Sequence, residues 1–404
     1  MDASRPNARE GLPSLTGLRF WAALLVVLYH LSREYHRLPL LSPLVWYGRD
    51  GVTFFFVLSG FVLAWSYAAA GIPARVFYWR RFARVWPMHM AATGLALSVS
   101  LLAGVALPLT AVLWSVPLLQ AWSPPLVYGG NPAAWSLSAE AWFYLLLPLL
   151  LPFLVRRGNR ALAAIAVGAC AAGLVLWLGG ALIGPPALRD WALDYLPLSR
   201  TPQFLLGAAA GVAVRRGWRP RLPVPAAVAA LVLWHLALIP WSDAVPQGVW
   251  YSPYSGSQLL VAPLYAVLVT AAAGHDADGL PSRLGGRLMR RLGHYSFAWY
   301  LVHQTCLRLV LCLCGAPRSV AGALAGWLLV GSLSLALAGL LFHRVERPVE
   351  SLLRARGPGF PTSVPGAARA RHRPGKDGQL LPAIPANGDG EPVGGAASMT
   401  PGRR

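Results

Sequence analysis

The chain of 404 residues is 56% hydrophobic and only 12% charged, and its mean hydropathy is +0.50. Since a soluble protein carries about twice that share of charged residues, the composition excludes a soluble globular protein and predicts a polytopic membrane protein. A formal net charge of +20 would suggest a nucleic-acid partner if the chain were soluble. Here the arginines lie in short loops between apolar segments, as is typical of cytoplasmic loops. We therefore predict the lipid bilayer as a partner and no nucleic acid.

The apolar segments predict an all-α polytopic membrane bundle of about ten transmembrane helices. The expected spans are, in chain order, about 15–34, 52–70, 88–107, 136–154, 161–183, 201–214, 223–240, 257–274, 294–314 and 319–342. A further apolar piece, 109–122, contains Pro117 and is interpreted as a surface or re-entrant segment. If it crossed the membrane, the arginines at 156–160 would lie outside, against the positive-inside rule. With this interpretation both termini are predicted to be cytoplasmic.

Composition divides the chain into three parts. Residues 1–14 are expected to form a cytoplasmic N-terminal segment, 15–350 the membrane domain, and 351–404 a basic, Gly- and Pro-rich cytoplasmic tail. The tail has too few apolar residues to bury and is predicted to be disordered. The four cysteines lie in apolar segments without metal-ligand spacing, so the sequence predicts no metal site. The whole is expected to be a multi-pass protein of the cytoplasmic membrane.

The first span, LTGLRFWAALLVVLYHL, carries two basic groups, Arg19 and His30. They lie eleven residues apart, which on a helix is about 16 Å and returns to nearly the same face, so both are expected to face one groove. Ionisable groups inside a span are costly and by default indicate function. His30 could act as a general base towards a hydroxyl. Taken alone, it could equally be a buried histidine bonded to a neighbouring helix.

The segment YWRRFARVWP, residues 78–87, concentrates arginines where the third span begins. Arg80 or Arg81 can share a helical face with Arg84 at i+4 or i+3 spacing. Such a pair suits phosphate, because guanidinium groups bind phosphate oxygens bidentately. By spacing alone, the same arginines could be a positive-inside cluster without a ligand.

Three more ionisable groups lie inside or at the ends of spans. Glu140 follows Ser138 near the start of the fourth span, and its carboxylate could pair with an arginine or orient a histidine. His303 lies inside the ninth span, and Glu346 follows the last one. Each signal is weak alone, but together with the first span and the arginines they predict a polar site embedded in the membrane.

Five stretches in this order make the chain resemble the acyltransferase-3 family of integral membrane O-acyltransferases. They are LTGLRFWAALLVVLYH with its Arg-x10-His pair, GVTFFFVLSGFV, RRFARVWP, WSLSAEAWFYLLLP, and LGHYSFAWYLVH with the later VERP. The resemblance runs from about Leu15 to Glu350. It implies transfer of an acyl group, usually from acyl-CoA as co-substrate and with no bound cofactor, to a hydroxyl of a sugar or sugar-bearing molecule.

When the family's motif residues are matched to this sequence by position, the resemblance implies roles for single residues. His30 would be the catalytic base, Arg19 its motif partner, and Glu140 a motif acid of the catalytic group. We expect His30 to take the proton of the acceptor hydroxyl as its oxygen attacks the thioester. The expected acyl-CoA-binding residues are Arg80, Arg81 and Arg84, and the expected supporting residues are Ser138, His303 and Glu346.

Two positions depart from the family pattern. The family's SLSxEE usually has paired acids, whereas here Glu140 is followed by Ala141 and Trp142. The GVDxFF pattern has Thr53 in place of its acid, and Asp50, three residues earlier, is a candidate substitute.

The acceptor is less sharply indicated than the reaction. Members of the family modify envelope polysaccharides, lipopolysaccharide, signalling oligosaccharides and glycosylated antibiotics. The single-domain form and the Arg- and Ala-rich, actinomycete-like composition favour a macrolide or other sugar-bearing antibiotic. An envelope polysaccharide or lipopolysaccharide O-acetylase is the alternative. A proton-coupled transporter or flippase for sugar-containing substrates is the alternative from another class, against which the missing internal repeat argues.

Overall fold

The computed structural model describes residues 11–35, 38, 41–68, 73–241 and 253–358. Within these ranges the secondary structure is helical and contains no β-strand. The α-helices are α1 (Pro13–Glu34), α2 (Leu41–Val45), α3 (Gly51–Tyr67), α4 (Ala74–Leu102), α5 (Leu109–Ser115), α6 (Trp135–Val155), α7 (Asn159–Gly179), α8 (Pro186–Asp190), α9 (Pro197–Arg215), α10 (Val224–Leu238), α11 (Pro253–Leu260), α12 (Ala262–Ala277), α13 (Arg287–Cys314), α14 (Val320–Leu341) and α15 (Arg347–Arg356). Two π-helical turns follow α8 and α14, at Trp191–Tyr195 and Phe342–Glu346.

Eight helical segments in the described ranges are long and apolar enough to cross a membrane. They contain α1, α3, α4, α6, α7, α12, α13 and α14, which correspond to eight of the ten predicted spans. The other two predicted spans are helical as well. α10 has only 15 residues, and α9 carries the charged side chain of Arg200 in its second turn. The prediction of an all-α polytopic bundle is confirmed.

The apolar piece 109–122 does not form a helix that could cross a bilayer. Its helix α5 has seven residues and is therefore about 10 Å long, whereas the hydrocarbon core of a bilayer is about 30 Å thick. Leu118, with φ of 62°, separates α5 from the next helical turn. Two side chains of α4 hold the piece in place: Trp86 donates to the carbonyl of Val116 (3.3 Å), and His89 to that of Ser115 (2.8 Å). This geometry agrees with the interpretation as a surface or re-entrant segment.

Glycines let α3 and α9 pack backbone to backbone. A Cβ atom on Gly207 would lie 1.9 Å from the carbonyl oxygen of Val57, and one on Gly60 would lie 2.0 Å from that of Phe204. Gly207 and Gly211 are four residues apart, the small-residue spacing that brings membrane helices into close contact. The two helices therefore form a tight pair at the centre of the bundle.

A second close contact joins α1 to α13. A Cβ atom on Gly293 would lie 1.9 Å from the carbonyl oxygen of Thr16. One turn further along α1, Phe20 stacks on Trp299 of α13 with ring centroids 5.5 Å apart. The helix with the Arg-x10-His pair thus lies along α13, and this contact determines which groups its two basic side chains meet.

The last helix, α15, extends into the predicted tail. Residues 351–356, which were expected to be disordered, are helical. Trp79 of α4 donates to the carbonyl of Leu353 at 2.8 Å, and Arg84 pairs with Glu350. Through these contacts α15 packs against residues that are distant in sequence, and composition alone does not reveal such contacts. The remainder of the predicted tail, like residues 1–10, lies outside the described residues.

Candidate active site

A cavity among α1, α3, α4, α6 and α13 brings together four of the predicted site residues. Arg19, Arg81, Arg84 and Glu140 all line it, although they come from three different helices. It encloses about 120 Å³, several times the space that one water molecule needs. The rest of its wall is largely apolar, with Phe55 and other side chains of α3. Charged groups in such surroundings interact strongly with any ion that enters.

Arg19 reaches this cavity from α1. Its Nε donates to the hydroxyl of Ser296 on α13 at 3.4 Å. Among the described residues no carboxylate forms an ion pair with the Arg19 guanidinium. A positive charge in the bundle interior therefore has no protein anion to balance it at contact distance.

Arg81 is surrounded by aromatic rings rather than by carboxylates. Its guanidinium carbon lies 5.9 Å from the ring centroids of Tyr67, Phe77 and Tyr144, a distance at which cation–π attraction acts. Its Nη2 donates to the hydroxyl of Tyr67 at 3.4 Å, and its buried Nε has no hydrogen-bond partner in the described part of the chain. Arg81 thus offers free donors and an unneutralised charge at the cavity.

Arg84, one turn further along α4, is paired with two acids. Its Nη1 donates to Oε1 of Glu346 and, at 3.0 Å, to Oε2 of Glu350. Glu346 is only 2% exposed. The π-helical turn after α14 is thereby fastened to α4, and the charge of Arg84 is already neutralised by protein groups.

Glu140 is the acid of the cavity. It accepts hydrogen bonds from the hydroxyls of Tyr144, one turn along α6, and Ser59 of α3 at 3.4 Å. No arginine of the described residues forms an ion pair with it. Glu140 therefore bonds two hydroxyl groups in this structure rather than an arginine.

Arg80 and Ser138 are two of the five predicted site residues that do not line the cavity. Arg80 does not line it, although its neighbour Arg81 does, because successive residues of a helix point about 100° apart. Ser138 is fully buried and donates to Oε1 of Gln120 at 3.0 Å, so it holds the 109–122 piece against α6. Ser136, one turn earlier than Glu140, lines the cavity instead.

His30 and His303 form a second cluster further along α1 and α13. Their ring centroids are 5.1 Å apart. The side-chain amide of Gln304 donates to Nε2 of His30 at 2.9 Å. His303 is 1% exposed, its Nδ1 donates to the carbonyl of Tyr300 at 2.6 Å, and its Nε2 has no hydrogen-bond partner in the described part of the chain.

The eleven-residue spacing predicts that Arg19 and His30 face one groove. Both side chains contact α13, but only Arg19 lines the cavity. Arg19 contacts Ser296 and His30 contacts Gln304, both on α13. His30 is absent from the cavity wall, since it lies about 16 Å further along α1. Tyr300 connects the two places, because it lines the cavity and also bonds His303.

Comparisons with known proteins identify the family of this chain. The family model for the acyltransferase domain of the acyltransferase-3 family matches residues 12–343. The chain belongs to this family. It is also 34% identical over 375 residues to Acyltransferase MdmB of Streptomyces mycarofaciens, a match that covers 86% of this chain and 94% of that relative. No solved structure matches the chain significantly.

Sequence reasoning missed several side chains that complete the site of this acyltransferase. Tyr144 and Gln304 each had a signal, since they lie four residues after Glu140 and directly after His303. Ser59 and Ser296 lie inside two of the stretches that carry the family resemblance, but a lone serine in an apolar span does not indicate which side chain it contacts. Their positions depend on which helices pack together.

A second buried polar network lies at the other end of α3. Arg200 is fully buried, and its Nη2 donates to Gln258 Oε1 (2.7 Å) and to the backbone carbonyl of Asp194 (2.6 Å). Asp50 accepts from Ser257 (2.9 Å), and its other oxygen lies 3.4 Å from Nε2 of His235. Thr53 belongs to the same network, since its hydroxyl donates to the carbonyl of Gln258 (2.7 Å), so Asp50 stays a candidate substitute for the acid that the family has at position 53.

Proposed function

We propose that this acyltransferase moves a short acyl group, acetyl in the simplest case, from acyl-CoA to a hydroxyl of a sugar-bearing small molecule. The observation that supports this most is the Arg19 cavity, where the guanidinium groups of Arg19 and Arg81 have no carboxylate partner among the described residues. Arginines in such surroundings bind phosphate tightly, since each guanidinium can donate two parallel hydrogen bonds. Acyl-CoA carries phosphates at one end and the reactive thioester at the other.

Arg81 is the best candidate for the first contact with the donor. It is the eighth residue of α4 and lines the cavity, so an anionic ligand that enters from this end of the helix could reach it without crossing the bundle. Arg84 contributes less directly, because Glu346 and Glu350 already neutralise its charge. In the proposed orientation the arginine-rich ends of the helices face the cytoplasm, where acyl-CoA is made, and the protein lies in the cytoplasmic membrane.

His30 is the proposed base. The Gln304 amide donates to Nε2 of His30, so this nitrogen carries the lone pair. An acceptor hydroxyl that replaces the amide would donate to the same nitrogen. As His30 takes that proton, the hydroxyl oxygen attacks the thioester carbonyl, an ester bond forms, and the thiolate of CoA leaves. The distance of about 16 Å between Arg19 and His30 requires an extended donor, which the pantetheine arm provides.

We further propose a macrolide or similar sugar-bearing antibiotic as the acceptor. The support is the similarity to an acyltransferase of a Streptomyces species over 86% of the chain, together with the arginine- and alanine-rich composition. An O-acetylase of envelope polysaccharide would use the same donor site and differ only in the acceptor.

The test uses purified full-length protein and radiolabelled acetyl-CoA, with a panel of glycosylated macrolides and envelope oligosaccharides as acceptors. Wild-type protein should transfer label to a hydroxyl. The variant His30→Ala should lose roughly 10²–10⁴-fold in kcat, which is the usual contribution of a general base. His294→Ala, a histidine of α13 outside the cluster, is the matched control and should keep activity. Transport of the sugar without any acetyl transfer or acetyl-CoA hydrolysis would overturn the proposal in favour of a transporter.

A further inference from the structure

An apolar crevice lies on another face of α1, where α10 and α12 approach it. Its volume is about 530 Å³. Leu18 and Trp21 of α1 face Val228 and Leu231 of α10 and Leu268 of α12 across it. Because Trp21 is 47% exposed and Val228 40% exposed, the crevice opens to the lipid-facing surface of the bundle.

The polar side chains at one end of the crevice are already bonded within the protein. The hydroxyl of Tyr47 donates to the carbonyl of Leu238 at 2.7 Å. His235 donates to the carbonyl of Leu231 at 2.8 Å and lies 3.4 Å from Asp50. A sugar would lose its hydrogen bonds to water here and gain none, whereas a hydrocarbon chain loses nothing.

The other end of the crevice adjoins a basic pocket of about 490 Å³. Arg219, Arg221 and Arg283 line this pocket. Arg219 is paired with Asp278 at 2.9 Å. Arg221 and Arg283 are exposed and have no ion pair among the described residues, so the pocket carries a net positive charge.

The pocket and the crevice form one groove. Leu284 lines both, and the walls continue along α10 from Val224 in the pocket to Val228 in the crevice, one helical turn on. From Val228 to Leu236 the crevice follows α10 for eight residues, about 12 Å on a helix. One leaflet of the hydrocarbon core is about 15 Å thick, so the apolar part matches the depth of a single leaflet.

We propose that this groove binds one anionic phospholipid. The phosphate of its headgroup contacts Arg221 and Arg283, and an acyl chain fills the crevice along α10. Two features argue for a lipid: the positive charge lies at the helix ends, where headgroups lie, and the apolar part has the depth of one leaflet. Basic pockets between membrane helices are suited to anionic headgroups in this way. The site is separate from the Arg19 cavity and does not depend on the acyl-transfer chemistry.

The experiment measures lipid binding to the delipidated full-length protein by native mass spectrometry, with dioleoyl phosphatidylglycerol and dioleoyl phosphatidylcholine as probes. We expect one tightly retained phosphatidylglycerol and no comparable phosphatidylcholine. The double variant Arg221→Gln/Arg283→Gln should bind phosphatidylglycerol roughly 30-fold more weakly, because each arginine near an anionic headgroup contributes about one kcal/mol. Both residues are exposed, so the variant should fold normally.

Matched controls distinguish binding at this site from nonspecific contact of lipid with the rest of the protein surface. Arg156→Gln/Arg160→Gln removes two exposed arginines, one directly after α6 and one in the first turn of α7, and should leave binding unchanged. Val232→Trp, which fills the crevice, should weaken binding, whereas Val175→Trp on the exposed face of α7 should not. Equal binding of the two lipids, or unchanged binding by the double arginine variant, would overturn the proposal. Displacement of the lipid by soluble glycerol phosphate at the same concentration would overturn it too, because the site would then bind a free phosphate.

Discussion

At the scale of single residues, Arg81 and Arg84 show how one helical turn can separate two roles. Arg84 forms ion pairs with Glu346 and Glu350, so it links α4 to the π-helical turn after α14 and to α15. Arg81 lies among aromatic rings, with a buried Nε that has no hydrogen-bond partner in the described part of the chain. A ligand anion gains most from a cation that no protein anion neutralises.

We therefore expect Arg81→Ala to raise the KM for acetyl-CoA by roughly tenfold or more, since hydrogen bonds to charged groups contribute about 1.5–3 kcal/mol. Steady-state kinetics at saturating acceptor measures this. Arg80→Ala is the matched control, because it removes the same charge from the neighbouring position that does not line the cavity. Equal increases in KM for both variants would show that only the overall positive charge of this part of α4 matters.

At the scale of helices, the pairing of α3 with α9 positions the cavity wall. α3 contributes Phe55 and Ser59 to the cavity, and α9 lies behind it. Because Gly60 and Gly207 leave no room for a Cβ atom, the two backbones touch. Membrane helices gain little from the hydrophobic effect between themselves, so close packing of this kind carries much of their association.

The variant Gly207→Ala should lower the Tm of the detergent-solubilised protein by roughly 2–6 °C, because overpacking costs about 1–3 kcal/mol. The added methyl group would otherwise lie 1.9 Å from the carbonyl oxygen of Val57. Gly168→Ala makes the same change in α7, where nothing lies within 4 Å, and should leave Tm unchanged or slightly raise it. A Tm for Gly207→Ala equal to that of the wild type would mean that the helices can separate without cost.

At the scale of the whole molecule, the arrangement of charges predicts the orientation in the membrane. The arginines at 156–160 lie between α6 and α7, and Arg219 and Arg221 lie between α9 and α10. If both loops are cytoplasmic, the segment 180–196 between α7 and α9 is on the outer side. The orientation matters for function, because it decides from which side acyl-CoA reaches Arg81.

Cysteine labelling in intact cells tests this orientation. In a background without the four native cysteines, Ala187→Cys should react with a membrane-impermeant maleimide, whereas Arg160→Cys should react only after the cells are permeabilised. Both positions are exposed, so access to solvent does not distinguish them. Labelling in the reverse pattern would place the arginine loops, and with them the proposed donor entrance, outside the cell.

Local patterns in the amino-acid sequence were enough to predict much of the fold. Length and continuity of apolar residues predicted helices at the ten expected spans, eight of which are long and apolar enough to cross a membrane, because a bilayer demands about 20 apolar residues per crossing. The spacing of Arg19 and His30 predicted that they share one face of α1, and residue order was enough for the family resemblance.

Only the tertiary structure decided which charges meet. Arg84 and Glu346 are 262 residues apart and pair because α4 packs beside the end of α14. The cavity is lined by Arg81 rather than Arg80 and by Ser136 rather than Ser138, since the rotation of each helix within the bundle is set by its packing. The buried Arg200 network follows from the same cause, since its members come from different helices. The spacing of two residues along a helix determines whether they share one face of it, but the residues that this face contacts belong to other helices.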